Sequence, residues 1–183
     1  RRILMEYPEE VLGGFKILWE IVQSKQAHIA FIRTQQDLIS QWKKLISKEP
    51  KIRVVECELK YPQESEPVLV STVTGKKISI EKGKWKRQGL VVNASTAKAV
   101  FDWIYRNQMT FSRVLTVAGP NVHEPKNLRV TFGTPVRDIL ALCDVQGKVG
   151  KFILGGPLSG TAHFSYNVPV TPDVNGIILL PPE

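Results

Sequence analysis

Two short segments of this chain have the layout of a ligand-holding turn. Tyr61-Pro-Gln-Glu-Ser-Glu66 follows a β-branched run and opens an apolar one, and Val91-Val-Asn-Ala-Ser-Thr96 repeats that layout further on. In open α/β sheets, strand-to-helix turns gather at the carboxyl edge of the sheet. The free N–H groups of helix N-termini there attract anions and polar groups. A simpler role is open to the same residues. Glu64 and Glu66 can solvate and cap a helix start, and Asn93 can serve as an N-cap on its own account.

The remaining chemistry-bearing residues exclude more than they suggest. His28, His123 and His163 have no metal-ligand spacing, and no Ser-His-Asp arrangement or pair of catalytic carboxylates can be assembled, so no hydrolytic site is read. Cys57 and Cys143 lie in separate apolar stretches, neither in a Cys-x-x-Cys pair. They read as buried thiols, with a disulfide or redox pair as the alternative, and no zinc or iron–sulfur site is encoded within the chain. Gly155-Gly-Pro-Leu-Ser-Gly160 is not a P-loop, because no Gly-Lys-Ser/Thr follows, and reads as a tight turn. Gly133-Thr-Pro135 reads as a strand end with a capping Thr and Pro at a helix start.

Charge sets the class of partner. The 183 residues carry a formal net charge of +8, which favours acidic partners. Lys82-Gly-Lys-Trp-Lys-Arg87 is the densest basic cluster. It reads first as a solvated loop and next as a docking point for an acidic ferredoxin-like carrier. Nucleic acid is the weakest reading, because one Trp makes a poor stacking platform. No apolar run approaches the roughly 20 residues of a membrane helix. The first residues lead straight into a helix with no starting Met, as expected of a piece of a longer protein.

Elements that alternate between strand and helix must position the two turns. Pro8, Glu9 and Glu10 open a helix over 8–24 whose apolar residues recur at helical spacing. Gly13 and Gly14 weaken that helix, so close packing against a sheet or ligand is the expected compensation. Strands are expected over 28–32, 52–59 and 89–92, and helices over 34–47 (capped by Thr34), 64–74 and 95–106. This alternation implies parallel βαβ units. Beyond residue 112 the pattern becomes two strands (113–117 and 128–132), a short helix to about 142, a strand at 151–154 and an apolar strand at 176–180. That is the order of a small β-grasp unit. The expected fold is α/β: a partial Rossmann-like parallel-sheet domain over 1–111, a β-grasp domain over 112–165, and a return strand and tail over 166–183.

Glu9-Glu-Val-Leu-Gly-Gly14, the two turns, Gly133-Thr-Pro-Val-Arg-Asp138 and Gly155–Gly160 together resemble the RnfC-like electron-transport proteins, relatives of the flavin-binding subunit of complex I. The resemblance spans nearly the whole chain. It implies a flavin-domain portion followed by a soluble-ligand-binding β-grasp (SLBB) domain. It makes Tyr61, Glu66, Asn93 and Thr96 the cofactor-binding residues. Glu64 and Ser65 depart from the family's glycine-type residues there, adding bulk and charge where backbone should approach a flat ring. The implied function is electron transfer between NADH or ferredoxin and a redox partner. FMN and 4Fe-4S clusters are implied for the full-length protein, while the chain alone is expected to hold no cofactor and to be inactive. Implied partners are other electron-transport subunits or an acidic ferredoxin-like carrier, with NADH in the full-length protein. The implied location is cytoplasmic, peripheral to the membrane through partners. The competing reading is a non-catalytic ligand- or partner-binding module of a divergent relative, of the cobalamin-reductase or proline-reductase-associated kind.

Overall fold

The computed structural model describes residues 2–63, 65–77, 80–81, 84–85 and 89–182, with backbone alone at 80–81 and 84–85. The chain divides into two compact units, Arg1–Met109 and Thr110–Glu183.

In the first unit a short helix α1 (Arg2–Glu6) precedes α2 (Pro8–Val22). Proline in the first turn needs no N–H partner there, and Glu9 and Glu10 complement the helix dipole. The helix ends where Gln23 turns left-handed (φ 53°) and its N–H donates to Trp19 O. Strand β1 (Ala27–Ile32) then leads through α3 (Gln36–Leu45) to β2 (Ile52–Cys57), and the two strands pair in parallel from Ala27↔Ile52 to Ile32↔Cys57. Leu38, Ile39 and Trp42 of α3 share one buried face with Phe31 of β1. Trp42 is fully buried, and its indole N–H donates to Leu4 O at 3.1 Å, so the one polar atom of the ring is satisfied. The chain continues through α4 (Glu66–Thr74), a short antiparallel hairpin of β3 (Ile80–Glu81) and β4 (Lys84–Trp85), and α5 (Ala94–Arg106).

Three expectations need correction here. Residues 89–92 form no strand: they bend at Gly89 and take no sheet partner among the described residues, and Leu90 is exposed. Valine favours strands only when neighbours pack on it, and this run passes directly into the cap of α5 instead. Thr34 does not cap α3. A turn closed by Gln35 N–H on Ile32 O puts Thr34 at its tip, and Gln35 takes the cap position. Finally, Gly13 and Gly14 meet a helix rather than a sheet or ligand. A Cβ on Gly14 would lie 1.7 Å from Ala97 O, and one on Gly13 would lie 2.5 Å from the Phe101 ring. The contacts Glu10 to Arg106, Gly13 to Phe101 and Gly14 to Ala97 run α2 and α5 antiparallel at close range.

The second unit is a five-stranded mixed sheet with one short helix. Strands β5 (Ser112–Ala118) and β6 (Lys126–Thr131) form an antiparallel pair, α6 (Val136–Leu140) follows, and β7 (Lys151–Leu154) pairs with β8 (Thr161–His163). Strand β9 (Gly176–Leu180) inserts between β5 and β7, parallel to the first and antiparallel to the second. The order β6-β5-β9-β7-β8 is that of a β-grasp unit. Its core is Leu115 and Val117 of β5, Val136 and Ile139 of α6, Phe152 of β7, and Ile177 and Leu179 of β9. Residues beyond 165 are therefore part of this unit, because its central strand comes from them. The apolar pattern of β9 reflects burial between two neighbouring strands. Helix α6 stops at Leu140, short of the expected 142, where Leu142 is already exposed.

Candidate functional site

The four residues singled out from the sequence fall on two turns. Tyr61 and Glu66 lie on the turn that leaves the carboxyl end of β2 and enters α4. Tyr61 is 65% exposed and Glu66 is the first residue of the helix, so a ring face and a carboxylate border this turn. The turn is held from inside by Gln63, a residue with no mark in the sequence pattern. Gln63 is buried, and its Nε2 donates to Thr72 Oγ1 at 2.9 Å, one to two turns along α4. Its only signal is burial, which sequence spacing does not carry. Glu64, the departure from the family pattern, lies outside the described residues, as do Lys82, Gly83, Lys86 and Arg87 of the basic cluster.

Asn93 and Thr96 form the second turn. Asn93 is the N-cap of α5, in extended backbone (φ −80°, ψ 159°), and its Oδ1 accepts from Thr96 N–H at 2.8 Å. The same oxygen accepts from Ser95 Oγ at 2.7 Å and from Thr96 Oγ1 at 3.0 Å. The capping role is thus fulfilled, and it consumes the acceptor side of the amide. The donor side, Nδ2, has no partner among the described residues, and Asn93 and Thr96 are both exposed. The turn therefore presents N–H donors at the positive end of a 13-residue helix. Such a surface suits an acceptor-rich group: a phosphate, or the carbonyl edge of a flavin ring.

The position of that turn is set from below. Arg106 donates to Glu10 at 3.0 Å and to Asp102 at 2.9 Å, Lys98 pairs with Asp102, and the Lys98 ammonium lies over the Tyr7 ring. Glu10 is held below the usual carboxylate range by its own backbone N–H and then by Arg106, against an opposing effect of burial. Asn93 thus owes its place to helix packing on α2, not to a strand end.

Among the described residues, the other titratable groups do not form a centre. The His28 imidazole is held below its ordinary pKa, first by burial and then by the charge of Arg53. His163 stacks on Phe152, and His123 faces Asp144 at 3.5 Å. Cys57 and Cys143 are free thiols in different units, and burial pushes both up, so neither is a ready thiolate. No group of His, Cys, Asp or Glu among the described residues is arranged to hold a metal ion. Two cysteines cannot supply the four thiolates of a 4Fe-4S cluster. The chemistry offered by the two turns fits a flavin far better than it fits a metal centre.

The fold is a parallel-strand α/β unit followed in sequence by a β-grasp unit. Residues 1–102 match the model of the Nuo51 FMN-binding domain, and the chain belongs to that family. Within it the chain is RnfC-like. It is 28% identical over 178 residues to a subunit of the proton-translocating ferredoxin:NAD(+) oxidoreductase complex of Clostridium ljungdahlii, covering 97% of this chain and 39% of the relative. It is 31% identical over 183 residues to a subunit of the ion-translocating oxidoreductase complex of Rhodobacter capsulatus, covering 98% of this chain and 35% of the relative. Among solved structures, an NAD+-reducing [NiFe]-hydrogenase chain superposes with a TM-score of 0.74 at 16% identity, over 98% of this chain and 37% of that one. That likeness shows the fold. The chain spans about two fifths of the length of the Clostridium relative and less of the other two.

Proposed function

We propose that this chain is the flavin-holding portion of an RnfC-like electron-transfer protein that passes electrons between NADH or ferredoxin and a redox partner. The observation that carries the reading is the family match over residues 1–102, which includes both candidate turns. Tyr61 and Glu66 would line one side of the FMN, and Asn93 Nδ2 with the first N–H groups of α5 would donate to its acceptor atoms. Bound FMN supplies a carrier that accepts a hydride and releases single electrons. The chain's own part is to orient the group and to offer donors that stabilise negative charge on it. Iron–sulfur clusters, where the full protein has them, would lie outside these residues. The protein would work among the subunits of a larger electron-transport assembly, on the cytoplasmic side of a membrane. The test is reduction of the full-length protein by NADH or by reduced ferredoxin, followed by the bleaching of flavin absorbance. A flavin that neither donor reduces would overturn the electron-transfer reading. The non-catalytic alternative, a ligand- or partner-binding module, would then take its place.

A further inference from the structure

The amino ends of β1 and β2 carry a surface that the flavin reading does not use. The loop before β1 and the turn before β2 lie side by side, joined by Ala27 N–H donating to Lys51 O. That turn is compact: Ser47 N–H donates to Lys44 O, Glu49 N–H to Ile46 O and Ile52 N–H to Glu49 O. Lys25, Lys44, Lys48, Lys51 and Arg53 are therefore gathered at one end of the strand pair. All five are exposed, and none forms an ion pair among the described residues. A sixth cation, Lys16, is paired with Glu49, which leaves exposed Glu20 as the nearby acid without an ion pair among the described residues. Beside Lys25, the last turn of α2 exposes Ile21 (72%) and Val22 (44%).

We infer that this face lies directly on an anionic lipid surface. The cations are nearly all lysines, which are compact point charges on flexible stems, suited to a diffuse layer of headgroups rather than to the bidentate pairing that favours Arg. Two exposed aliphatic side chains at the rim are a cost in water and are accommodated at the headgroup boundary, next to lysines that reach anionic lipid. The surface is built from helix ends and strand ends, and backbone hydrogen bonds fix the loops that carry the lysines. Its position also fixes an orientation. Strands β1 and β2 are parallel, so the Tyr61–Glu66 turn leaves the opposite end, about 20 Å further from the lipid for a six-residue strand. The candidate flavin turn would then face the aqueous side, open to soluble carriers. The inference does not depend on flavin being bound.

Vesicle co-sedimentation of the 183-residue chain tests it. Vesicles of phosphatidylcholine with phosphatidylglycerol should bind the chain, vesicles of phosphatidylcholine alone should not, and binding should fall steeply as salt rises. The triple variant K25Q/K48Q/K51Q should lose at least about tenfold in partitioning, since each lysine near an anionic surface is worth about fivefold. The control R33Q/K43Q/K60Q changes the net charge equally at exposed positions by the carboxyl ends of β1 and β2 and should retain most of the binding. Ile21→Ser should weaken binding in a way that added salt does not mimic. Thermal melting of each variant checks that the fold is kept. Equal loss in both triples, or no binding to anionic vesicles at low salt, overturns the inference. It is also overturned if the same lysines bind an acidic protein such as a ferredoxin while vesicles are ignored, because the surface would then be a protein dock.

Discussion

Asn93 has two jobs that can be separated by substitution. Its Oδ1 caps α5, while its Nδ2 is the group left for a ligand. Asn93→Ala removes both, and loss of the cap should lower stability by about 1 kcal/mol. Asn93→Asp keeps the acceptor and places a negative charge at the helix N-terminus, so the melting temperature should hold. It also removes the donor and repels an anionic group, so flavin affinity of the full-length protein should fall about tenfold, the worth of one hydrogen bond of about 1.4 kcal/mol. Melting curves and flavin titrations of the two variants read these effects apart. An Asp variant that binds flavin as tightly as the parent would leave Asn93 as a cap alone. This residue's type and place were legible from the sequence, because Asn before a short Ser-Thr helix start has few other uses. Gln63 was not legible, because a buried glutamine looks the same in sequence as an exposed one.

At the scale of elements, the account rests on the contact between α2 and α5. Alanine usually stabilises a helix over glycine by about 1 kcal/mol. At Gly14 it should do the reverse, because the new Cβ would meet a backbone carbonyl that cannot move aside cheaply. A net loss of about 1–3 kcal/mol is expected from overpacking, and denaturant unfolding of Gly14→Ala measures it. The same helix pair carries an acid dependence. The carboxyl of Glu10 is lowered in the folded chain from an ordinary value of 4.5, so its contribution is present above that value and lost as pH falls through the lower folded value. Glu10→Gln should remove that contribution, so the variant is less stable than the parent at neutral pH, the difference closes as pH falls below about 4.5, and that part of the stability-versus-pH curve flattens. The periodic elements were the readable ones: α2, α3, α5 and β1 were visible from apolar spacing, and β9 from its unbroken apolar run. What the glycines pack against was not readable, since close approach is a property of two elements and sequence spacing describes one. The strand expected at 89–92 failed for a related reason. Its valines satisfy propensity, but pairing depends on whether a neighbouring edge is offered.

At the scale of the whole molecule, the two units are each held by a separate apolar core, one centred on Trp42 and one on Phe152, Ile177 and Leu179. The change from alternating strand and helix to a strand-rich pattern was visible in the sequence. The membership of β9 was not, because an apolar strand can join any sheet with a vacant place. The central proposal is that the unit Arg1–Met109 brings the Tyr61 and Asn93 turns to a flavin site. The most direct measurement is the flavin content per chain, by visible absorbance and by release of free FMN, after reconstitution of both the full-length protein and the 183-residue chain. The account predicts stoichiometric FMN in the full-length protein and none retained by the shorter chain, which lacks much of the length of its relatives. A full-length protein that takes up no FMN would contradict the account, and so would a shorter chain that holds it stoichiometrically.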